Sequence, residues 1–344
     1  MDPTNSATSI AAAGRRRPRG RRAEAAIAVS LLVLTLLGFV FFALRLRTPA
    51  TLLLPALGLS VLLAGGYVAA TVRSARLWLS SVVSSGPALG EPAGIVVTRA
   101  FFGPAVLLLA ALVYCALSGL PLAPRAAMYG LDLLLPAAAL FLLARFDTIA
   151  LLAAATVFWL PLEFHLLPAL PLPPVKGGWD ATYLLALVNA LYLILIVRRL
   201  PRVGLTFLLN RQDFERAIQA LVVFTAVALP IGLATGFLRW DPRFTAQSLA
   251  GAPLAIYLGT AVPEEFLFRG VIQNACTRWL GFRRGLAVAS VLFGLAHLPD
   301  LRYALLAAFA GVAYGWVYHR RGKVTASAVT HASVDWIWLL LLRR

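Results

Sequence analysis

The sequence predicts an all-α, polytopic integral membrane protein, and three observations carry that prediction. Of 344 residues, 60% are hydrophobic and only 13% charged, with a mean hydropathy of +0.83. A soluble chain of this length must turn a polar surface to water and does not carry so little charge. The apolar residues gather in runs of about 17–25, the helix length that crosses a hydrocarbon core. Basic residues sit mainly at the ends of those runs.

The runs predict about eleven spanning helices, near 25–44, 50–72, 97–119, 127–144, 148–169, 181–197, 217–238, 249–277, 283–298, 303–319 and 324–342. Residues 1–23 read as a basic, disordered cytoplasmic tail, with arginines at 15, 16, 17, 19, 21 and 22. The first apolar run is too long for a cleavable signal peptide and lacks a small-residue cleavage end. Residues 24–200 form an N-terminal helical array of unassigned role, and residues 201–344 carry the chemistry. The Pro- and Gly-rich breaks at 84–92 and 168–178 read as connectors.

With the N-terminus cytoplasmic, basic residues outside the membrane divide about 21 inside to 9 outside. Arg198, Arg199, Arg202, Arg211 and Arg216 make the richest internal loop on the cytoplasmic side. The net charge of +17 is thereby topogenic, and its partner is the bilayer surface. No nucleic-acid partner is expected, since the chain has no basic, aromatic-studded soluble module. Cys115 and Cys276 lie in apolar runs and read as packing residues.

The array up to residue 200 has few polar residues within its runs, among them Asp132, Glu163, His165 and Asn189. Glu163 and His165 are two apart, which on a helix sends them to opposite faces. That segment is expected to be an interfacial helix end and not part of a site. The last quarter differs. An ionisable side chain within a membrane segment is costly and by default functional, and here several occur as a set.

Glu264, Glu265 and Arg269 share one run, Phe293 and His297 the next, and His331 and Asp335 the last. Glu265 and Arg269 are four apart and can pair on one helix face, leaving Glu264 turned toward another neighbour. Phe293 and His297 share a face, as do His331 and Asp335, and Gly294 with Ala296 permits close helix approach. Measured from Arg278, Arg284 and Lys323 at ~1.5 Å per residue, Glu264 and His297 lie roughly 20 Å deep and Asp335 about 18 Å. Arg269 and His331 lie about 12–14 Å deep on the same scale. One band of the membrane therefore holds two carboxylates, an arginine, two histidines and a further carboxylate, an inventory suited to acid–base hydrolysis.

In order and spacing, Glu264-Glu265-xxx-Arg269, Phe293-xxx-His297 and His331-xxx-Asp335 resemble the three motifs of the CAAX protease and bacteriocin-processing family (CPBP, Abi). That family includes the type II CAAX prenyl endopeptidases, and the resemblance covers roughly residues 205–342. It implies an intramembrane endopeptidase acting on membrane-anchored or lipid-modified protein tails. Glu264 and His297 would activate water, His331 and Asp335 would stabilise the oxyanion, and Glu265, Arg269 and Phe293 would support the site. The third motif usually ends in Asn, so Asp335 departs from the pattern at the oxyanion position. The favoured chemistry needs no cofactor. The alternative is a zinc ion held by Glu264, His297 and His331 with an open position for water. A non-enzymatic reading also stands: a transporter or bacteriocin-immunity protein using the same charges for proton or ligand binding.

Overall fold

A computed structural model describes residues 18–83, 93–143 and 147–343. Most of the basic tail and the connector at 84–92 lie outside the described residues. Twelve helices make up the described fold. They are α1 (Pro18–Arg45), α2 (Ala50–Thr71), α3 (Arg73–Val83), α4 (Ala93–Leu117), α5 (Leu122–Leu142), α6 (Asp147–Glu163) and α7 (Thr182–Val197). The others are α8 (Arg211–Ala234), α9 (247–280), α10 (Phe282–Leu295), α11 (Leu301–Arg321) and α12 (Val324–Leu341). Two antiparallel pairs of two-residue strands close loops: Pro171–Leu172 with Trp179–Asp180, and Arg239–Trp240 with Leu342–Arg343.

The chain is a multi-pass helical membrane protein. Among the described residues, six helices are long and apolar enough to cross a bilayer: residues Arg22–Arg45 of α1, α2, residues Arg99–Leu117 of α4, α5, α8 and α12. The predicted count of eleven is not reached by that measure. Helices do occupy all eleven positions, but α6 and α10 have 17 and 14 residues. At ~1.5 Å per residue these fall short of a ~30 Å core. Helix α9 carries Glu264, Glu265 and Arg269 inside its apolar run and is interrupted by π-helical turns at Gln247–Gly251, Tyr257–Ala261 and Phe266–Gln273. The predicted list has no counterpart to α3, a short helix that leaves Leu77 and Trp78 exposed.

Contacts between helix ends define two faces. On one, Thr206 donates to Glu24 at 2.8 Å, and Asp147 pairs with both Arg198 and Arg278. There Asn210 and Asp213 form a reciprocal capping box at the start of α8. Asp213 also receives Arg321 at 2.7 Å and Lys323 at 2.6 Å, tying α8 to the turn between α11 and α12. On the other face, Tyr114 donates to the Pro171 carbonyl, Arg125 to that of Ala169 and Arg302 to that of Thr235. Successive long helices run from one face to the other. Large apolar side chains such as Leu37, Phe41, Leu54 and Val223 remain exposed on their outer sides, as lipid contact requires.

Glycine sets the spacing of the helices that carry the polar residues. A Cβ at Gly294 would stand 2.5 Å from the Ala304 carbonyl, and one at Gly311 would stand 2.9 Å from Ser290 Cα. Helices α10 and α11 therefore touch backbone to backbone, as small residues allow in membranes. Both cysteines are free and buried.

Candidate active site

Three helices and one turn bring the predicted residues together. Helix α9 supplies Glu264, Glu265 and Arg269, α10 supplies Phe293, and α12 supplies His331 and Asp335. His297 follows two residues after α10, and α11 contributes Tyr314.

The innermost part is a buried ion pair. Glu265 is 0% exposed and Arg269 1%. Arg269 Nη1 lies 2.9 Å from Glu265 Oε1, while Nη2 donates to the Gly311 carbonyl at 3.3 Å. The guanidinium stands over the Phe293 ring at 4.4 Å and the Tyr314 ring at 5.2 Å, contacts that favour a desolvated cation. Ser327 Oγ bonds Glu265 Oε2 and stands 2.8 Å from the Tyr314 carbonyl.

His331 connects this pair to the outer carboxylates. Its Nδ1 lies 2.9 Å from Glu265 Oε1. The Glu265 carboxylate already faces Arg269 and so accepts, which makes His331 Nδ1 the donor. The opposite nitrogen, Nε2, lies 3.5 Å from Asp335 Oδ2 and 3.8 Å from Glu264 Oε2. Tyr314 stacks on the imidazole at 4.7 Å and holds the ring plane. Glu264 and Asp335 are the accessible members, with side chains 30% and 35% exposed.

Glu264 also faces a cavity of about 290 Å³, whose wall includes His297, Tyr183, Leu267, Glu163 and His165. His297 Nδ1 lies 2.8 Å from the Phe293 carbonyl, one turn back. A carbonyl only accepts, so Nδ1 donates and Nε2 is left as the acceptor nitrogen. The ring is braced edge-on by Tyr303 at 4.4 Å.

The predicted set thus divides. Glu265, Arg269, Phe293 and His331 form the buried base, Asp335 stands beside it, and Glu264 and His297 share the cavity wall. Among the described residues, no three His, Cys, Asp or Glu side chains are arranged to hold a metal ion. His331 has already committed Nδ1 to Glu265 and turns Nε2 toward two carboxyl groups.

The spacing rule that sets Glu163 and His165 aside does not hold here. Helix α6 ends at Glu163, and His165 lies beyond it with a left-handed backbone, φ +49°. The rule of opposite helix faces therefore does not govern the pair. Both side chains reach the cavity, with Glu163 Oε2 held by Trp159 Nε1 at 3.1 Å. Tyr183, at the start of α7, has no signal in the sequence, being one aromatic among many in apolar runs. It lines the polar cavity and also a neighbouring apolar groove of about 420 Å³.

Residues 246–337 match the family model for type II CAAX prenyl endopeptidases of the Rce1-like kind. The matched segment contains Glu264, Glu265, Arg269, Phe293, His297, His331 and Asp335, so the resemblance drawn from their spacing holds over this segment. No curated protein matches the chain, and no solved structure does.

Proposed function

We propose that the chain is an intramembrane endopeptidase in which Glu264, aided by His297, activates water to hydrolyse a peptide bond in a membrane-anchored or lipid-modified protein tail. The observation that carries this reading is the shared wall: a partly exposed carboxylate and an acceptor imidazole line one cavity, and a neutralised ion pair lies behind them. The family match of residues 246–337 supplies the reaction class.

Chemically, a water in the cavity gives a proton to the Glu264 carboxylate as its oxygen bonds to the scissile carbonyl carbon. The His297 Nε2 lone pair accepts the second water hydrogen and fixes the water's orientation. The tetrahedral oxyanion then needs donors on its far side. His331 with both nitrogens protonated, balanced by Glu265 and Asp335, presents Nε2–H there. As the C–N bond breaks, the proton on Glu264 passes to the leaving amine, and the carboxylate is regenerated. Glu265, Arg269, Ser327 and Tyr314 touch no substrate and act as positioning residues for His331.

The apolar groove supports a substrate with a lipid-like portion. It is walled by α1, α2, α7 and α9, and Tyr183 and Pro263 bring it beside Glu264. An apolar chain or helix in that groove would present its polar tail to the cavity. By the distribution of basic residues, the N-terminus is cytoplasmic.

The test is cleavage of prenylated tail peptides and membrane-anchored tail fusions by the purified chain in lipid, compared with Glu264→Gln and repeated with a zinc chelator. Cleavage lost in the variant and retained with chelator is the expected result. Loss with chelator and recovery on adding zinc would overturn the metal-free route. Cleavage that persists in Glu264→Gln would remove this residue from the reaction.

A further inference from the structure

A second polar concavity lies away from the active site, on the arginine-rich face. It has a volume of about 380 Å³ between α3 and the loop that follows α7, and its rim is formed by Arg73, Arg76, Arg199 and Arg202. Among the described residues, none that line it is a carboxylate. We infer that this pocket binds the phosphate headgroup of an anionic phospholipid.

The arginines contrast with their neighbours on the same face. Arg198 and Arg278 share Asp147, and Arg321 and Lys323 share Asp213. Where carboxylates are at hand, this face neutralises its cations. Around the pocket, among the described residues, Arg73 and Arg202 have no ion-pair partner. Two of the four also hold the pocket open. Arg76 Nη1 donates to the Leu205 carbonyl at 2.7 Å, and Arg199 Nη2 donates to that of Ser80 at 2.9 Å, so each bridges helix to loop. Arg199 and Arg202 both adopt left-handed backbone, φ +51° and +61°, a conformation that disfavours residues bearing a Cβ. The loop keeps that conformation twice within four residues while presenting both side chains to the rim.

Guanidinium groups are suited to phosphate because their planar forks bind its oxygens in pairs. The rest of the lining selects the source of that phosphate. Leu77, Leu200 and Val203 give the pocket an apolar wall that inorganic phosphate would leave uncovered. A glycerol backbone and the first acyl carbons would cover it. Helix α3 fits the same placement, since Leu77 and Trp78 are 57% and 63% exposed, the apolar side of a helix lying in the membrane interface. A basic pocket between helices at that level is a headgroup site by its chemistry.

The test is native mass spectrometry of the full chain in detergent, with equal phosphatidylglycerol and phosphatidylcholine competing for retention. The wild type is expected to keep one phosphatidylglycerol in preference. R73Q/R202Q, which touches neither the active-site cavity nor the two bridging arginines, is expected to lose about thirtyfold of that preference. R73K/R202K, which retains the charge, should keep most of it and guards against a folding artefact. Millimolar inorganic phosphate should not displace the lipid. Equal retention of the two lipids by the wild type, or unchanged preference in R73Q/R202Q, would overturn the proposal. Full displacement by inorganic phosphate would overturn the lipid assignment in favour of a soluble anion.

Discussion

Arg269→Met tests the energetic core of the site directly. The substitution leaves Glu265, at 0% exposure, without its counter-charge. Removing one member of a buried pair costs about 3–5 kcal/mol, because the remaining charge stays desolvated. Two features shift the value in opposite directions. Ser327 and His331 still donate to Glu265, which moderates the loss. The guanidinium also leaves the faces of Phe293 and Tyr314, at 4.4 and 5.2 Å, contacts worth about 1 kcal/mol each. The expected destabilisation is about 4 kcal/mol, read by reversible unfolding in mixed micelles. The double variant Glu265→Gln/Arg269→Met removes both charges, while the introduced amide keeps hydrogen-bonding capacity toward Ser327 and His331. It should recover about half of the loss, leaving a cost of about 2 kcal/mol, well below the sum of the two single variants. A cost below about 1 kcal/mol for Arg269→Met, or a double variant as unstable as the sum of the singles, would refute the buried-pair account.

Further outcomes follow from the same geometry. Ser327→Ala removes a donor from Glu265 and should cost about 1–3 kcal/mol in the same unfolding assay, with kcat lowered and KM little changed. Gly294→Ala puts a Cβ 2.5 Å from the Ala304 carbonyl and should destabilise by about 1–3 kcal/mol while displacing His297. Gly58→Ala, which meets nothing within 4 Å, is the control expected to unfold and cleave like the wild type. Asp335→Asn keeps an oxygen and adds a donor near His331 Nε2, so cleavage should persist within about tenfold, whereas Asp335→Leu should abolish it. Tyr183→Trp narrows both the cavity and the groove, and a raised KM at unchanged folding would place the substrate there.

The ion pair and the His331–Asp335 contact are legible in the sequence because spacings of four on a helix face survive local distortion. The π-helical turns of α9 do not spoil this, since Glu265 and Arg269 still meet at 2.9 Å. The division between a buried base and a cavity wall is not legible. It depends on which helices pack together, and no spacing within one helix encodes that. That Glu163 and His165 share the cavity wall is not legible, because the rule of opposite faces extends periodicity past the end of α6, where the chain turns left-handed. Ser327 gives no signal, being a small residue in no motif and 62 positions along the chain from the carboxylate it bonds. The count of eleven spans is not reached by length and hydropathy among the described helices, since charges inside α9 and the brevity of α6 and α10 weaken them as free-standing spans.

The cavity draws one wall from residues 158–183 and the other from residues 264–297. That joint construction bears on how such a chain can diverge. On the proposed function, reaction chemistry resides in the later half, but access to it is shaped by the earlier one. Substitutions in the first half can retune which tails enter without touching a proton-transferring group. The same arrangement argues against modular transplantation: the later half alone would expose Glu264 and His297 to lipid and lose the enclosed volume in which water is held. Selectivity and catalysis would then be inherited together while remaining separately mutable.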